Sequence, residues 1–323
     1  MALDVITMGE MLIDFVPLKK GLPLRDNKGF LRMPGGAPAN VAVGAAKLGI
    51  KSAFMGKVGD DPFGRLLIDT LVENQVDIEG IVQTDQAKTT LAFVTLDQTG
   101  DRDFTFYRDP GADMLYSWDE VNKELLGEAA IFHHGSISLI DEPVRTTTLK
   151  MVRYARDHDI LVSYDPNLRK PLWSDLVQAK KWIKKGLQTA DIVKLSEEEL
   201  SFITGEKLTD GIERLKNYGV KLIFVTRGGK GCYFYSRQTE GTIPGFKVEA
   251  QDTTGAGDAF TAGILSQMVK SGIENPVQLN KKNLKEMVNF ANAVGALTIT
   301  GKGAISSLPN LKEVNVFLQE NHK

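Results

Sequence analysis

Two short stretches of this chain combine glycines, amides and a carboxylate in a way suited to holding an anion next to a hydroxyl. The first is Asp252-Thr253-Thr254-Gly255-Ala256-Gly257-Asp258-Ala259-Phe260. Small residues stand where a helix begins, and Thr253 and Thr254 are expected to cap it. Gly255, Ala256 and Gly257 would leave backbone N–H groups bare at the positive helix end. That is an anion hole, fit for a phosphate or for charge that develops during phosphoryl transfer. Asp258 follows at once. A carboxylate there can take a proton from a hydroxyl while the hole holds the phosphoryl group. The same spacing is also that of a glycine-rich turn with an ordinary first-turn acid. It is not a dinucleotide fingerprint, because Phe260 stands where a third glycine belongs.

The second stretch is Met33-Pro34-Gly35-Gly36-Ala37-Pro38-Ala39-Asn40. Gly35 and Gly36 let backbone approach a ligand, Pro38 suits a first helical turn, and Asn40 can offer an amide to a polyol. A tight turn is the plain alternative. Asp14, in Gly9-Glu10-Met11-Leu12-Ile13-Asp14, falls near the end of an expected strand, where parallel α/β sheets bind ligands. Strand ends also carry Tyr164-Asp165-Pro166-Asn167-Leu168-Arg169 and Lys194-Leu195-Ser196-Glu197-Glu198-Glu199. Their carboxylates and amide can hold Mg²⁺ through water. Glu197 to Glu199 equally suit a solvated helix start. Thr226-Arg227-Gly228-Gly229-Lys230-Gly231 is a turn able to wrap a nucleotide phosphate, or a simple hairpin.

The elements that position these groups alternate. Strands are expected over 4–8, 51–58, 130–134, 160–164, 191–195 and 222–226. Helices are expected over 38–48, 62–74, 142–158, 175–188, 197–204 and 209–218. This order implies a largely parallel sheet covered by helices on both faces. Short strands over 231–235 and 241–248 read as an antiparallel edge, followed by helices near 256–271 and 282–298. Strand-like stretches 12–17, 30–33, 90–96 and 103–107 lack intervening helices, and 97–101 reads as a hairpin loop. They suit a small sheet standing off the main one: a lid, an edge extension or a dimer contact.

Composition narrows the classes. The 323 residues are 42% hydrophobic and 25% charged, a soluble globular balance. With 39 Lys and Arg against 41 Asp and Glu, binding to nucleic acid through phosphate contacts is not expected. The single cysteine, Cys232, excludes an internal disulfide framework and is expected in the core. No apolar run is long enough to span a membrane. The N-terminus lacks a basic leader, so a cytoplasmic protein is expected. There is no Walker motif and no protein-kinase signature. The pair His133-His134 is expected to be structural.

Taken together, Gly35-Gly36-Ala37-Pro38-Ala39-Asn40 and Asp252-Thr253-Thr254-Gly255-Ala256-Gly257-Asp258 resemble the two signatures of the ribokinase-like (PfkB) carbohydrate kinases. Gly56-Lys57-Val58-Gly59-Asp60-Asp61 with Gly64, and Gly303-Ala304, add to the likeness, which covers essentially the whole chain. Met8-Gly9-Glu10-Met11-Leu12-Ile13-Asp14-Phe15, Phe106-Tyr107-Arg108-Asp109-Pro110-Gly111-Ala112-Asp113 and Asp165-Pro166-Asn167-Leu168-Arg169-Lys170-Pro171-Leu172-Trp173 are similar to the fructokinase branch. The resemblance implies a single Rossmann-like three-layer α/β/α domain over 1–323, with a β-lid from about 12–34 and 90–108. It implies ATP-dependent phosphorylation of a sugar, fructose to fructose 6-phosphate, with a ribose, 2-keto-3-deoxygluconate or ribonucleoside kinase as the alternative and a non-catalytic sugar-sensing protein as a further, lower-ranked one.

The resemblance also implies roles. Asp258 is the base, and Gly255, Ala256 and Gly257 form the hole. Asp14, Gly35, Gly36, Asn40, Arg108 and Arg169 hold the sugar. Lys194, Glu199, Thr226, Gly228, Gly231 and Asn292 serve the nucleotide. Glu199 and Asn167 hold Mg²⁺ through water, with Ser196 standing where the family's magnesium motif begins with Asn. Asp252, Thr254, Gly303 and Ser307 match a K⁺ site. The implied partners are sugar and ATP, with a homodimer through the β-lid.

Overall fold

The computed structural model describes residues 3–96, 102–272 and 275–321. The strands in chain order are β1 (Leu3–Met8), β2 (Leu12–Pro17), β3 (Phe30–Gly35), β4 (Ser52–Gly59), β5 (Asp77–Thr84), β6 (Leu91–Leu96), β7 (Arg102–Tyr107), β8 (Ala129–Gly135), β9 (Leu161–Asp165), β10 (Ile192–Ser196), β11 (Leu222–Thr226), β12 (Cys232–Ser236) and β13 (Glu240–Ile243). The helices are α1 (Ala37–Lys47), α2 (Pro62–Glu73), α3 (Lys123–Gly127), α4 (Val144–Asp157), α5 (Leu176–Leu187), α6 (Glu197–Thr204), α7 (Leu208–Lys216), α8 (Ala256–Lys270), α9 (Lys281–Thr298) and α10 (Leu311–Glu320).

Nine strands form one sheet in the order β13-β12-β11-β10-β9-β8-β1-β4-β5. From β5 to β11 all neighbours run parallel, and β12 and β13 close the edge antiparallel. Parallel strands buried on both faces need an apolar side chain at every position. Accordingly Val5 joins a core with Phe54, Ile131 and Phe224, while its neighbour Ile6 joins the opposite core with Met55, Phe132 and Ile223. The first core includes residues of α1, α2, α8 and α9, and the second includes residues of α4, α5, α6 and α7. The sequence order reverses between β1 and β8, which opens a crevice at their carboxyl ends.

Helices α1, α8 and α9 approach closely because small residues face each other. A Cβ at Gly44 would lie 2.7 Å from Ala262 Cβ, and one at Gly263 would lie 2.8 Å from Ala291 Cα. That close contact brings the first turns of α1 and α8 side by side. A second sheet, in the order β3-β2-β6-β7, stands apart from the first. It is stitched by aromatic contacts: Phe93 stacks on Phe15 at 4.9 Å and meets Phe30 and Tyr107 edge-on.

The expected α/β alternation and small extra sheet are both present. The edge strand expected over 241–248 ends at Ile243, because Pro244 has no N–H to continue a ladder. β5, α3 and α10 escaped the pattern reading. The hairpin loop at 97–101 lies outside the described residues.

Candidate active site

Helix α8 begins at Gly255, whose φ of 77° is left-handed, and no side chain caps it. The expected threonine caps are therefore absent. A β-branched residue resists that backbone conformation. Instead, Thr254 donates both its N–H (2.9 Å) and its hydroxyl (2.6 Å) to Asp252 Oδ1. Gly303 N–H donates to Asp252 Oδ2 at 2.9 Å, which ties the loop before α8 to the 301–304 turn. As the N-cap, Gly255 offers no side chain to the amide end of α8, which carries the positive pole of the helix.

Asp258 sits in the first turn of α8 and is 7% exposed. Asn40 Nδ2, from the adjoining turn of α1, donates to Asp258 Oδ2 at 2.7 Å. Asn167 Nδ2 donates to Oδ1 at 3.2 Å, from a residue just past β9 held at φ 42°. Burial pushes the Asp258 carboxyl above its ordinary range, and the neighbouring Asp165 carboxylate adds to the rise. The Asn40 hydrogen bond and the charges of Lys194 and Arg169 oppose it. The result is a desolvated, oriented carboxylate with strengthened basicity.

Lys194 lies beneath this point. Its Nζ donates to the buried Asp165 Oδ2 at 2.8 Å. A Cβ at Gly257 would sit 2.6 Å from that ammonium, so only glycine lets the cation lie under the helix start. Burial alone would lower the Lys194 pKa, but Asp165 and Glu199 outweigh it and raise the value. Lys194 therefore stays charged and adds positive potential to the amide end.

Toward the small sheet, Asp14 packs against Gly35. A Cβ there would fall 2.5 Å from Asp14 Oδ2. Gly36 (φ 110°) starts α1 with its Cα against the Glu10 carbonyl. A cavity of about 490 Å³ lies between this sheet and the loops flanking α8, with Asp14, Met33, Phe104, Asp252, Thr254 and Gly303 among its walls. Arg169 places its guanidinium 5.6 Å from the Phe104 ring centre. Arg108 is buried elsewhere, its Nε donating to Asp113 Oδ2 at 2.8 Å. Another cavity, of about 990 Å³, lies at the opposite end of the parallel strands, lined by Asp4, Arg156 and Asp191 among others, away from Asp258.

On the other side, Gly228–Lys230 forms a turn after β11, packed through Gly231 and Gly245 against the segment that follows β13. Asn292 Nδ2, from α9, donates to Pro244 O at 3.1 Å and braces the same wall. Thr226 anchors the start of the turn, its hydroxyl 3.4 Å from Leu195 O. Glu199 closes the start of α6 as a capping box with Ser196. Its Oε2 accepts from Ser196 N–H and its Oε1 from Leu168 N–H, both at 2.7 Å. One carboxylate thus fixes the Asn167 loop to α6. Among the described residues no three His, Cys, Asp or Glu side chains converge as a direct metal cage. Both Glu199 oxygens accept backbone N–H groups, and Asn167 Nδ2 donates to Asp258. Asp252, Thr254 and Gly303 converge through hydrogen bonds, and Ser307 packs on Gly301 of the same turn.

The structure thus gathers Asp14, Gly35, Gly36, Asn40, Asn167, Arg169, Lys194, Glu199, the amides of 255–257 and Asp258 around one crevice. It sets Thr226, Gly228, Gly231 and Asn292 in an adjoining wall. Asp165, one of the strand-end carboxylates read from the sequence as a magnesium candidate, instead accepts from the Lys194 ammonium; the Glu10 and Asp113 carboxylates were not singled out from sequence. An acid two residues past an apolar strand was the available signal for Glu10. His133 and His134 are core residues, pushed down to about 3 by burial and thus neutral. Cys232 is buried in β12.

Comparison with known proteins agrees with this geometry. A family model described as pfkB family carbohydrate kinase matches residues 2–311. Fructokinase-1 of Zea mays is 50% identical over 319 residues, covering 98% of each chain. Fructokinase-1 of Oryza sativa subsp. japonica is 49% identical over 313 residues, covering 96% of each. Among solved structures, a fructokinase with bound ATP from Xylella fastidiosa superposes with a TM-score of 0.90 at 36% identity, over 99% of both chains. A fructokinase double mutant from Vibrio cholerae O395, in a fructose-, ADP- and potassium-bound form, gives 0.88 at 35%, over 98% of this chain and 99% of that one. With an open amide end beside a buried aspartate, and these signatures running the length of the sequence, the chain belongs to the pfkB family of carbohydrate kinases.

Proposed function

We propose that this protein is an ATP-dependent fructokinase that converts D-fructose to D-fructose 6-phosphate. One observation carries the chemistry. Asp258 is buried, held by two amide groups from opposite sides, and adjoins the uncapped end of α8. The relatives named fructokinase support fructose as the acceptor.

In this reading the sugar lies under the small sheet, which acts as a lid, held by Asp14, Asn40, Arg169 and the backbone at Gly35 and Gly36. ATP lies along the wall made by Thr226, Gly228, Gly231 and Asn292. Asp258 takes the proton of the primary hydroxyl as its oxygen bonds to the γ-phosphorus. The bond from that phosphorus to the β,γ-bridging oxygen breaks, and ADP leaves with the electron pair. The amides at 255–257, with Lys194 beneath them, stabilise the equatorial oxygens of the migrating group. Lid closure keeps water from competing for it.

Glu199 and Asn167 would hold magnesium through water, which would neutralise charge on the phosphates. Asp252, Thr254, Gly303 and Ser307 would hold a potassium ion, which would stiffen the loop before α8. We place the protein in the cytoplasm, a reading supported by its one buried thiol. The described residues contain no helix long and apolar enough to cross a membrane. Exposed Leu31 and Tyr107 on the small sheet, with Leu18 just past β2, support a homodimer contact there.

A sugar panel at fixed ATP with an ADP-coupled readout tests the assignment. Fructose is expected to turn over fastest. Equal or faster turnover of ribose, 2-keto-3-deoxygluconate or a ribonucleoside would reject fructose as the acceptor.

A further inference from the structure

Four chain crossings join the small sheet to the main body: residues 9–11 into β2, 35–37 out of β3, 85–90 into β6 and 108–111 out of β7. Buried polar contacts tie them in pairs, the first to the second and the third to the fourth. At the first, Glu10 Oε1 accepts from Ala37 N–H, at the second, over 3.1 Å. At the third, Thr90 donates its hydroxyl to Asp113 Oδ1 at 2.5 Å, and its carbonyl accepts from Ile13 N–H at 3.1 Å. At the fourth, Arg108 Nε donates to Asp113 Oδ2 at 2.8 Å, with Nη2 2.7 Å from the same oxygen. Ala112 N–H donates to Lys88 O at 2.9 Å and ties the fourth crossing to the third. Glu10, Thr90, Arg108 and Asp113 are each at most 9% exposed. The Arg108 charge favours ionised Glu10, and Asp113 opposes it, so the three charges sense one another.

A buried ion pair adds little net stability over well-packed apolar residues, and its attested use is to fix registry. This pair stands where the small sheet meets the body, and none of the four side chains lines the cavity bounded by Asp14 and Asp252. We propose that Arg108 and Asp113, with Thr90 and Glu10, are positioning residues: a buried clamp that sets the angle of the small sheet to the main sheet. The clamp thereby holds Asp14 and Gly35 against Asn40 and Asp258. Arg108 acts through Asp113 and does not touch the sugar. The inference rests on the reading of the small sheet as a lid over the acceptor.

The test combines Asp113→Asn, Arg108→Gln and their double variant with two readouts. In the ligand-free protein, amide exchange in β2 and β6 is expected to quicken about tenfold in each single variant, with β1 and β8 unchanged. In kinetics, the fructose KM is expected to rise about tenfold in each. The ATP KM should stay within about twofold, and the double variant should be no worse than the worse single one. Thr90→Val, which removes only one hydrogen bond, should move both readouts in the same direction by less, and it decides the matter if the charge variants do not fold. Exchange is read without substrate. A wrong acceptor therefore shows as a wild-type enzyme idle on fructose with the exchange pattern intact, whereas a wrong clamp shows as unaltered lid exchange. Loss of fructose affinity in Arg108→Gln alone, with Asp113→Asn and Thr90→Val like wild type, would make Arg108 a direct ligand contact. Equal quickening across both sheets would reduce the cluster to general stability.

Discussion

Helices α1 and α8 lie side by side and start alike, yet they use their amide ends differently. Both begin at a left-handed glycine, Gly36 at φ 110° and Gly255 at φ 77°, and neither has a side-chain cap from its own N-cap residue. In α1 the protein fills the end itself: the Glu10 side chain, two residues past β1, accepts the Ala37 N–H. In α8 the N-cap glycine offers no side chain to the end, and the first-turn acid, Asp258, turns to Asn40 and Asn167. A filled helix end braces the fold, whereas an open one is kept for a ligand. Both acids are buried and both have raised pKa values, Glu10 to about 7, so burial alone does not separate the bracing acid from the reacting one. Their partners do.

The comparison breaks most sharply at Asp258. Asp258→Asn should lower turnover by about 10²-fold or more. Thermal stability should hold or rise, because the variant removes a buried charge whose folded-state pKa is raised. Near-normal turnover would make α8 an ordinary helix. Gly257→Ala sharpens the other half of the claim. Its methyl would displace the Lys194 ammonium, a flexible end, so folding should survive while kcat falls by about tenfold. Unchanged kcat would remove the lysine from the open end.

Glu10→Gln gives the smallest effect, visible in stability against pH. The folded-state pKa of about 7 lies above the ordinary 4.5. Between those values the folded chain keeps a proton that the unfolded chain has lost. Glu10 therefore favours folding fully below pH 4.5, progressively less up to about 7, and no more beyond. The amide keeps the bond to Ala37 and abolishes that slope. Relative to wild type, the variant should gain about 1–3 kcal/mol between pH 4.5 and pH 8 in denaturant titrations. Parallel wild-type and variant curves would contradict the buried bracing role of Glu10.

What could be read from the residues alone follows from locality. The turn at 252–258 and the one at 35–40 announce themselves because glycines, a helix start and the polar side chain fall within a few positions. The α/β order was legible because each strand is a short apolar run bounded by turns. The helix cap was misread because Thr253 and Thr254 suit caps by type, while the left-handed Gly255 takes that position. The Arg108–Asp113 pair stayed hidden because its meaning lies in Thr90 and Glu10, which only the crossings of the small sheet bring near. β5 went unread because it alternates weakly and borders solvent. The Asp165–Lys194 pair joins neighbouring strands whose register no local pattern announces.

The most direct test of the central claim is a crystal structure with fructose and a non-hydrolysable ATP analogue trapped together. The account predicts an Asp258 carboxylate oxygen about 2.6–3.2 Å from the primary hydroxyl oxygen of the sugar. It also predicts the γ-phosphoryl group resting on the amides of 255–257. An Asp258 side chain turned away from every sugar oxygen, with the phosphates bound elsewhere, would contradict it.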